Sequence, residues 1–186
     1  MTEKKSRLRG YSTAIVVLLI DQLTKKLVLG GLEMHHPEEI LGNFLRFTPA
    51  WNRGAAFSMP WGGPLFLTVV TAAAVVMVSV FIWRLGRRSP LFLTGMGAIL
   101  GGALGNLLDR FMYGRVLDFI DIGLPGRRWP TFNVADIAIT IGGILLVILY
   151  RKDRHAELEP EVESDACLND DFKNCSSSRG KFAHIL

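Results

Sequence analysis

The chain has 186 residues, of which 49% are hydrophobic and 20% are charged, and its formal net charge is +4. The length is compatible with one soluble domain, but the apolar residues are gathered in long runs, which disfavours an ordinary soluble fold. No strip of interleaved basic and aromatic residues is present, so we expect no nucleic-acid partner. The spacing of Cys167 and Cys175 fits no zinc site, and we interpret both as reduced thiols.

Two uncharged runs predict membrane-spanning helices. The chain has no charged residue in 61–83 or in 89–108, and either run can cross a hydrocarbon core of about 30 Å at about 1.5 Å per residue. Two weaker runs, interrupted by a few charged residues, flank them. Since neither weak run has the continuous polar face of a surface helix, we predict four spans, at roughly 11–29, 62–83, 90–111 and 131–150.

The positions of the basic residues predict the orientation of these spans. Basic residues precede the first run as in a signal peptide, but no small-residue cleavage site follows, so we interpret the run as a retained span. Further basic clusters lie between spans two and three and after span four. An even number of spans puts these clusters on one side, and the positive-inside rule makes that side the cytoplasm, together with both termini.

The segment 32–60 has a different composition and predicts a small extracytoplasmic β-sheet. Its prolines break any long helix, and the segments 44–48 and 55–58 have the composition of short strands. A plain external loop is the alternative. The segment 112–130 is too short for another span, so we predict that it returns over the outer surface as a short helix or loop.

These elements predict an all-α membrane protein with four transmembrane helices and a small sheet. Residues 1–154 form the membrane domain, and the polar, acidic residues 155–186 form a disordered cytoplasmic tail. In span three, Gly97, Gly101 and Gly105 recur at the four-residue interval that lets helices approach closely in lipid. We interpret them as packing residues, and Gly142 and Gly143 of span four as further points of close approach.

The polar residues beside spans three and four are the candidates for chemistry, because charged groups near hydrocarbon are costly unless paired or hydrated. The chain has no His-Glu-x-x-His metal motif and no Gly-x-Ser-x-Gly nucleophile motif, so carboxylates remain. Asp118 follows span three and Asp136 opens span four, and one turn over the outer surface would bring them together. Asp109 and Arg110, at the end of span three, are interpreted as an internal ion pair.

Two carboxylates that meet at a hydrated pocket can share a proton. The ionised carboxylate accepts a proton from an attacking water, while the neutral one polarises the carbonyl group. Two structural alternatives stay open. Asn133 and Asp136 also fit a helix cap, and Asp118 and Asp121 also fit solvated loop acids paired with Arg115.

Five ordered blocks of this sequence resemble the bacterial lipoprotein signal peptidase family (signal peptidase II). They cover about residues 11–150 and are Asp21-x-x-x-Lys25, Asn52–Ser58, Gly101–Arg110, Val116–Asp121 and Phe132–Asp136. The resemblance implies an aspartyl endopeptidase of the bacterial inner membrane, active near its extracytoplasmic face. Its substrates would be prolipoproteins, cut before a cysteine that carries a diacylglyceryl group.

The resemblance also implies the roles of individual residues. Asp118 and Asp136 match the catalytic pair, and the supporting positions are Asp21, Lys25, Asn52, Gly54, Asn106, Asp109, Arg110 and Asn133. In this interpretation the asparagines donate to the peptide backbone, Arg110 positions the substrate, and Asp21 and Asp109 hold neighbouring side chains. No metal or cofactor is implied, membrane lipid is a partner, and we expect a monomer.

Two other classes of protein are compatible with a small four-span chain. A proton-coupled transporter would place its acids near the membrane midplane along a path, whereas Asp118 and Asp136 are predicted at one face. A non-enzymatic assembly protein would use the glycines of span three to bind partner helices. Cleavage of a lipid-modified prolipoprotein distinguishes the peptidase from both.

Overall fold

The computed structural model describes residues 3–54, 63–86 and 88–169. Within them, the elements in chain order are α1 Glu3–Gly31, β1 Glu38–Leu41, β2 Leu45–Asn52, α2 Pro64–Arg84, α3 Pro90–Tyr113, β3 Val116–Leu124, β4 Arg127–Arg128 and α4 Val134–Asn169. The chain divides after Leu146 into two compact units. All contacts discussed below lie in the first unit.

Local sequence signals define the ends of α3. Pro90 occupies the first turn, where no backbone N–H is needed, and the Ser89 hydroxyl accepts a hydrogen bond from the Phe92 N–H at 3.2 Å. At the other end, Gly114 has a φ of 67° and donates its N–H to the Arg110 carbonyl, which is a left-handed helix stop that glycine adopts easily. The chain therefore turns from α3 directly into β3.

In the part of the chain that the structure describes, three helices are long and apolar enough to cross a membrane: Leu65–Arg84, Pro90–Tyr113 and Val134–Arg151. Helix α1, the first of the four predicted spans, does not meet this measure. It contains Asp21, Lys25 and Lys26, although Asp21 and Lys25 are buried against other elements rather than exposed. Its exposed large side chains include Ile15, Leu19, Leu23 and Leu27.

The glycines of α3 make the close helix contact that the sequence predicts, and the structure shows that the partner is α1. A Cβ atom at Gly101 would lie 2.5 Å from the Ala14 carbonyl oxygen, and one at Gly97 or Gly105 would overlap Gly10 or Asp21. Gly142 of α4 lies in the same way against Gly95 of α3, whereas Gly143 has open space around it. The packing interpretation is therefore confirmed for four of these five glycines.

The sheet is antiparallel with the strand order β1-β2-β3-β4. The strand predicted at 44–48 is part of β2, while the one predicted at 55–58 lies outside the described residues. The partner of β2 is β3, in the segment for which the sequence predicts only a short helix or loop, so that prediction is wrong for Val116–Leu124. The β-branched and aromatic residues of this strand favour the extended conformation.

The register of β2 and β3 brings chemistry-bearing residues together. Ala50 pairs with Asp118 and Asn52 pairs with Val116, and the register shifts between Phe47 and Ala50. Leu117 and Phe119 are buried with Val28 of α1, which fixes β3 against the end of the first helix. The strand thus carries Asp118 to the place where α1, α3 and α4 meet.

Helix α4 continues to Asn169. The chain is therefore helical over part of 155–186, the segment for which the sequence predicts a disordered tail. Glu, Ala and Leu are frequent in 155–169 and are good helix formers, which favours the continuation. Residues 170–186, including Cys175, lie outside the described part of the chain.

Candidate active site

Asp118 and Asp136 reach the same polar cluster from different elements. Asp118 lies on β3 and is 2% exposed, and Asp136 lies in the first turn of α4. Helix α3 contributes Asn106 to the same cluster, where it is buried. Both acids accept a hydrogen bond from Asn133, so the chain between α3 and α4 brings them together as the sequence predicts.

Each oxygen of the two carboxylates accepts a hydrogen bond. Asp118 accepts one from Asn133 Nδ2 at 2.7 Å and one from Asn52 Nδ2 at 2.8 Å. Asp136 accepts one from Asn106 Nδ2 at 2.8 Å and one from the backbone N–H of Asn133 at 3.2 Å. The pair is therefore held by fixed N–H donors on every oxygen.

The asparagine side chains also connect the two acids to each other. Asn133 Nδ2 lies 3.1 Å from Asn106 Oδ1, so hydrogen bonds run without a break from Asp118 through Asn133 and Asn106 to Asp136. Removing any one amide leaves a buried partner unsatisfied, which costs about 1–3 kcal/mol. The geometry of the pair therefore depends on the whole chain of hydrogen bonds.

Asn133 has a second task at the start of α4. Its Oδ1 accepts the Asp136 backbone N–H at 3.1 Å, while the Asp136 carboxylate accepts the Asn133 backbone N–H. This reciprocal pair is a capping box. The helix-cap alternative is thus correct, and it coexists with the contact of Asn133 with Asp118.

The environment of Asp118 favours its protonated form. Burial raises the pKa of this carboxyl to about 6, and the nearby charge of Asp136 acts in the same direction. The hydrogen bonds from Asn52 and Asn133 and the positive charge of Lys25 lower the pKa and offset part of the rise. A carboxyl with this pKa can hold a proton close to neutral pH, as a general acid requires.

A buried ion cluster lies behind the acids. Lys25 is 3% exposed, and its Nζ lies 2.8 Å from Asp21 Oδ2, 2.9 Å from Asp109 Oδ2 and 3.3 Å from Asn106 Oδ1. The predicted ion pair between Asp109 and Arg110 is wrong, because adjacent residues of a helix point in different directions. Asp109 turns toward α1 and pairs with Lys25.

The same carboxylates attach α3 and α1 to the elements that carry the acids. Asp109 accepts the backbone N–H of Leu117 at 3.1 Å, and Asp21 accepts that of Ala135 at 2.9 Å. Leu117 precedes Asp118, and Ala135 precedes Asp136. The cluster therefore fixes the backbone next to both acids.

Gln22 belongs to this cluster and was not predicted. Its Nε2 donates to Asp21 at 3.2 Å, to Asp109 at 3.1 Å and to the Gly105 carbonyl at 3.3 Å. A polar amide next to a charged residue inside an apolar run was the available signal, since such groups are costly in lipid unless partnered. The sequence does not show which of its neighbours it contacts.

Arg110 is partly buried and lies beside the acids. Its Nη1 donates to the Asn106 carbonyl at 3.1 Å, and the carboxylates of Asp136, Asp118 and Asp109 attract it electrostatically. No other hydrogen bond of its guanidinium is found among the described residues. Its remaining N–H groups can therefore donate to a carbonyl group of a substrate.

Asp121 is not part of the site. It accepts hydrogen bonds from Arg128, from Arg46 at 3.3 Å and from Thr48 at 3.1 Å. Burial alone would raise its pKa, but these hydrogen bonds and charges outweigh burial and lower it. Arg115 stacks over the Trp51 ring at 4.5 Å and has no ion pair with an acid among the described residues, so the loop-acid alternative is not observed there.

Gly54 supports Asn52 through the backbone. Its N–H donates to Asn52 Oδ1 at 2.7 Å, and its φ of 98° is one that residues with a Cβ rarely adopt. A Cβ atom at this position would also overlap the Leu67 side chain. The glycine therefore lets the turn hold the Asn52 amide with its NH2 group toward Asp118.

A cavity of about 330 Å³ opens beside Asp136. Its lining is mostly apolar and consists of Trp129, Phe132, Asp136, Ile137, Thr140 and Ile141. An apolar part of a substrate could lie there with a polar bond next to the acid. Within the described residues, no group of three His, Cys, Asp or Glu side chains is arranged to hold a metal ion.

Comparison with known proteins gives consistent matches over the region that contains these residues. The family model described as "Signal peptidase (SPase) II" matches residues 13–151. A lipoprotein signal peptidase of Chlorobium luteolum is 43% identical over 148 residues, which are 75% of this chain and 89% of that protein. One of Rhodococcus jostii is 44% identical over 151 residues, which are 77% of this chain and 72% of that protein.

A solved structure resembles the fold as well. A bacterial membrane enzyme structure determined by the in meso method superposes with a TM-score of 0.70 at 31% sequence identity. The match covers 78% of this chain and 88% of that one. The similarity therefore extends over most of both chains.

Proposed function

This chain belongs to the signal peptidase II family of membrane proteases, which remove signal peptides from lipoproteins, and we propose that it does so as an aspartyl endopeptidase. The proposed substrates are diacylglyceryl-modified prolipoproteins, and the proposed cut lies before the lipidated cysteine. The observation that carries the proposal is the chain of hydrogen bonds that joins Asp118 and Asp136 through Asn133 and Asn106.

The two acids would divide the work of hydrolysis. Asp118, whose pKa burial raises to about 6, holds the proton and donates a hydrogen bond to the scissile carbonyl oxygen. Asp136 accepts a proton from the water that attacks the carbonyl carbon. When the C–N bond breaks, a proton passes to the leaving amine, and a carboxylic acid and an amine are formed.

The polar neighbours would hold the peptide in position. Asn52, Asn106 and Asn133 keep the carboxylates oriented, and Arg110 donates to a substrate carbonyl group. The apolar cavity beside Asp136 would take an apolar part of the lipid-modified substrate. A substrate that stays partly in the bilayer needs a lateral opening of this kind rather than a closed pocket.

The membrane arrangement is part of the proposal. Helix α1 would also span the membrane and bring the number of spans to four. Its buried Asp21 and Lys25 face α3 and each other, while its apolar side chains face outward. The basic residues in the first turns of α1 and those near Arg84 and Arg88 would lie in the cytoplasm. The sheet and the acids would then lie at the extracytoplasmic face of the inner membrane, in a monomer.

The test is cleavage of a lipid-modified prolipoprotein by purified protein in detergent. Asp118→Asn and Asp136→Asn should each lower kcat by about a thousandfold or more, because each removes one partner of the proton transfer. A gel shift of the substrate measures the cleavage, and thermal unfolding shows that each variant is folded.

The matched control is Glu39→Gln, which neutralises an exposed carboxylate of β1 in the same sheet. It should cleave at the parent rate. If both Asp→Asn variants cleave as well as the parent, the aspartyl mechanism is wrong. If the parent protein does not cleave the lipidated substrate at all, a transporter or assembly role becomes the better interpretation.

A further inference from the structure

The orientation of the Asn106 carboxamide determines whether Asp136 keeps both of its N–H donors. Its nitrogen donates to Asp136 Oδ1 at 2.8 Å, and its oxygen faces Lys25 Nζ at 3.3 Å and Asn133 Nδ2 at 3.1 Å. If the amide turned over, its oxygen would face the Asp136 carboxylate, and two acceptors would repel each other. Asp136 would then lose one of its two N–H donors.

Lys25 prevents this rotation because an ammonium group has three donors and no acceptor. Its three hydrogens meet three acceptors, which are Asp21 Oδ2, Asp109 Oδ2 and Asn106 Oδ1. A turned Asn106 would place its NH2 group against the ammonium, donor against donor. The lysine therefore accepts only the orientation in which the NH2 group faces Asp136.

The other asparagines are oriented by backbone donors instead. The Asn52 oxygen accepts the Gly54 N–H, and the Asn133 oxygen accepts the Asp136 N–H. Asn106 differs from both, since the donors to its oxygen are the side chains of Lys25 and Asn133. Its orientation thus depends on a residue of α1, and Lys25 has no direct hydrogen bond to either catalytic acid.

We infer that Lys25 is a positioning residue of the hydrolysis reaction, which acts on Asp136 by fixing the orientation of the Asn106 carboxamide. This inference rests on the proposed function and extends it. The lysine keeps an N–H donor on Asp136, so that this carboxylate stays pointed at the water that it deprotonates. The substrate does not touch Lys25, so its loss should slow the chemical step more than it weakens substrate binding.

The experiment is a double-mutant cycle on kcat with Lys25→Met, Asn106→Ala and the double variant. Lys25→Met should lower kcat by about 10- to 100-fold, as is typical when an outer partner of a catalytic group is lost, and should change KM by less than about threefold. Asn106→Ala should lower kcat at least as much. In the Asn106→Ala background, Lys25→Met should add less than about a twofold loss.

Lys26→Met is the matched control, because Lys26 is the adjacent lysine and is exposed. It should leave kcat and KM at the parent values. Since Lys25→Met leaves Asp21 and Asp109 facing each other, the cycle is repeated in an Asp109→Asn background, which removes one of these charges. The same lack of additivity is expected there, and thermal unfolding in detergent identifies folded variants.

The inference is overturned if the losses from Lys25→Met and Asn106→Ala multiply, or if either single variant is as active as the parent. A rise in KM with an unchanged kcat would also overturn it, since that result places Lys25 in substrate binding. These outcomes are distinct from failure of the proposed function. If the proposed aspartyl mechanism fails, the Asp118→Asn and Asp136→Asn variants still cleave the substrate, whatever kcat is measured for Lys25→Met.

Discussion

At the scale of single residues, Asp118 shows the tension between stability and function in this site. Catalysis needs a carboxyl that holds a proton near neutral pH, and burial supplies this by penalising the charged form. The same penalty opposes folding whenever the group is ionised. The hydrogen bonds from Asn52 and Asn133 offset only part of it, since the pKa stays raised at about 6.

The pH dependence of stability follows from this shift. The pKa of Asp118 is about 6 in the folded chain, and the ordinary pKa of an aspartate is 3.8. Between these pH values the folded chain therefore binds more protons than the unfolded chain. The contribution of Asp118 to stability is therefore present below the unfolded pKa and is lost as the pH rises through about 6. Its full size is about 3 kcal/mol, at about 1.4 kcal/mol per pKa unit.

Asp118→Asn should remove this pH-dependent cost. We expect the variant to be inactive but more stable than the parent at pH 7.5. The gain should be less than about 3 kcal/mol, because the NH2 group of the new asparagine would face an N–H donor that Asp118 accepts from in the parent. At pH 4 the gain should vanish. Thermal unfolding of both proteins in detergent at the two pH values measures the difference, and an equal gain at both would contradict the assignment of the raised pKa to Asp118.

At the scale of elements, the site depends on how closely α1 and α3 approach. Gly105 lies directly against the Asp21 carboxylate, and Asp21 holds Lys25 and the Ala135 backbone. The spacing of two helix backbones is thus transmitted through one carboxylate to the start of α4. Small residues in α3 are needed for this geometry as well as for packing.

Gly105→Ala tests this dependence. The added methyl group would displace Asp21 from Lys25, so we expect a loss of about 1–3 kcal/mol in stability and at least a tenfold loss of cleavage. Gly143→Ala of α4 is the control, because none of the described residues outside its own stretch of helix comes within 4 Å of the added Cβ. It should keep activity, and its midpoint of thermal unfolding should not fall. Equal stability and equal cleavage rates of the two variants would contradict the close contact of Gly105 with Asp21.

The capping box at the start of α4 explains why local patterns and catalytic roles are hard to separate. Asn133 and Asp136 have the spacing of a helix cap, and they form one. Asn133 also contacts Asp118, and Asp136 is itself one of the two proposed catalytic carboxylates. A cap motif in the sequence is therefore compatible with a purely structural role and with a site, and only the contact of Asn133 with Asp118 decides between them.

At the scale of the whole molecule, the proposed orientation makes a direct prediction. A cysteine introduced by Glu39→Cys on exposed β1, with Cys167 and Cys175 changed to serine, should react with a membrane-impermeant maleimide on intact spheroplasts. The native cysteines of the parent protein should react only after the membrane is permeabilised. The reverse pattern would place the sheet in the cytoplasm and contradict the proposed side of the active site.

The sequence by itself determined the apolar helices, the glycine spacing of α3 and the pair of acids at the end of the bundle. These are local properties, because hydropathy, helix period and motif spacing are written in consecutive residues. Even the family resemblance rests on short blocks whose order along the chain is directly visible. The strand Val116–Leu124 was missed because its position between two spans favoured a simple return segment.

Only the tertiary structure decided which polar group meets which. Asp109 pairs with Lys25 rather than with Arg110, Gln22 joins the same cluster, and the Asn106 amide has a defined orientation. These contacts join residues that are far apart in the chain, so they depend on the register of α1 against α3 and of β2 against β3. That register is set by close packing over whole elements, and no short stretch of sequence contains it.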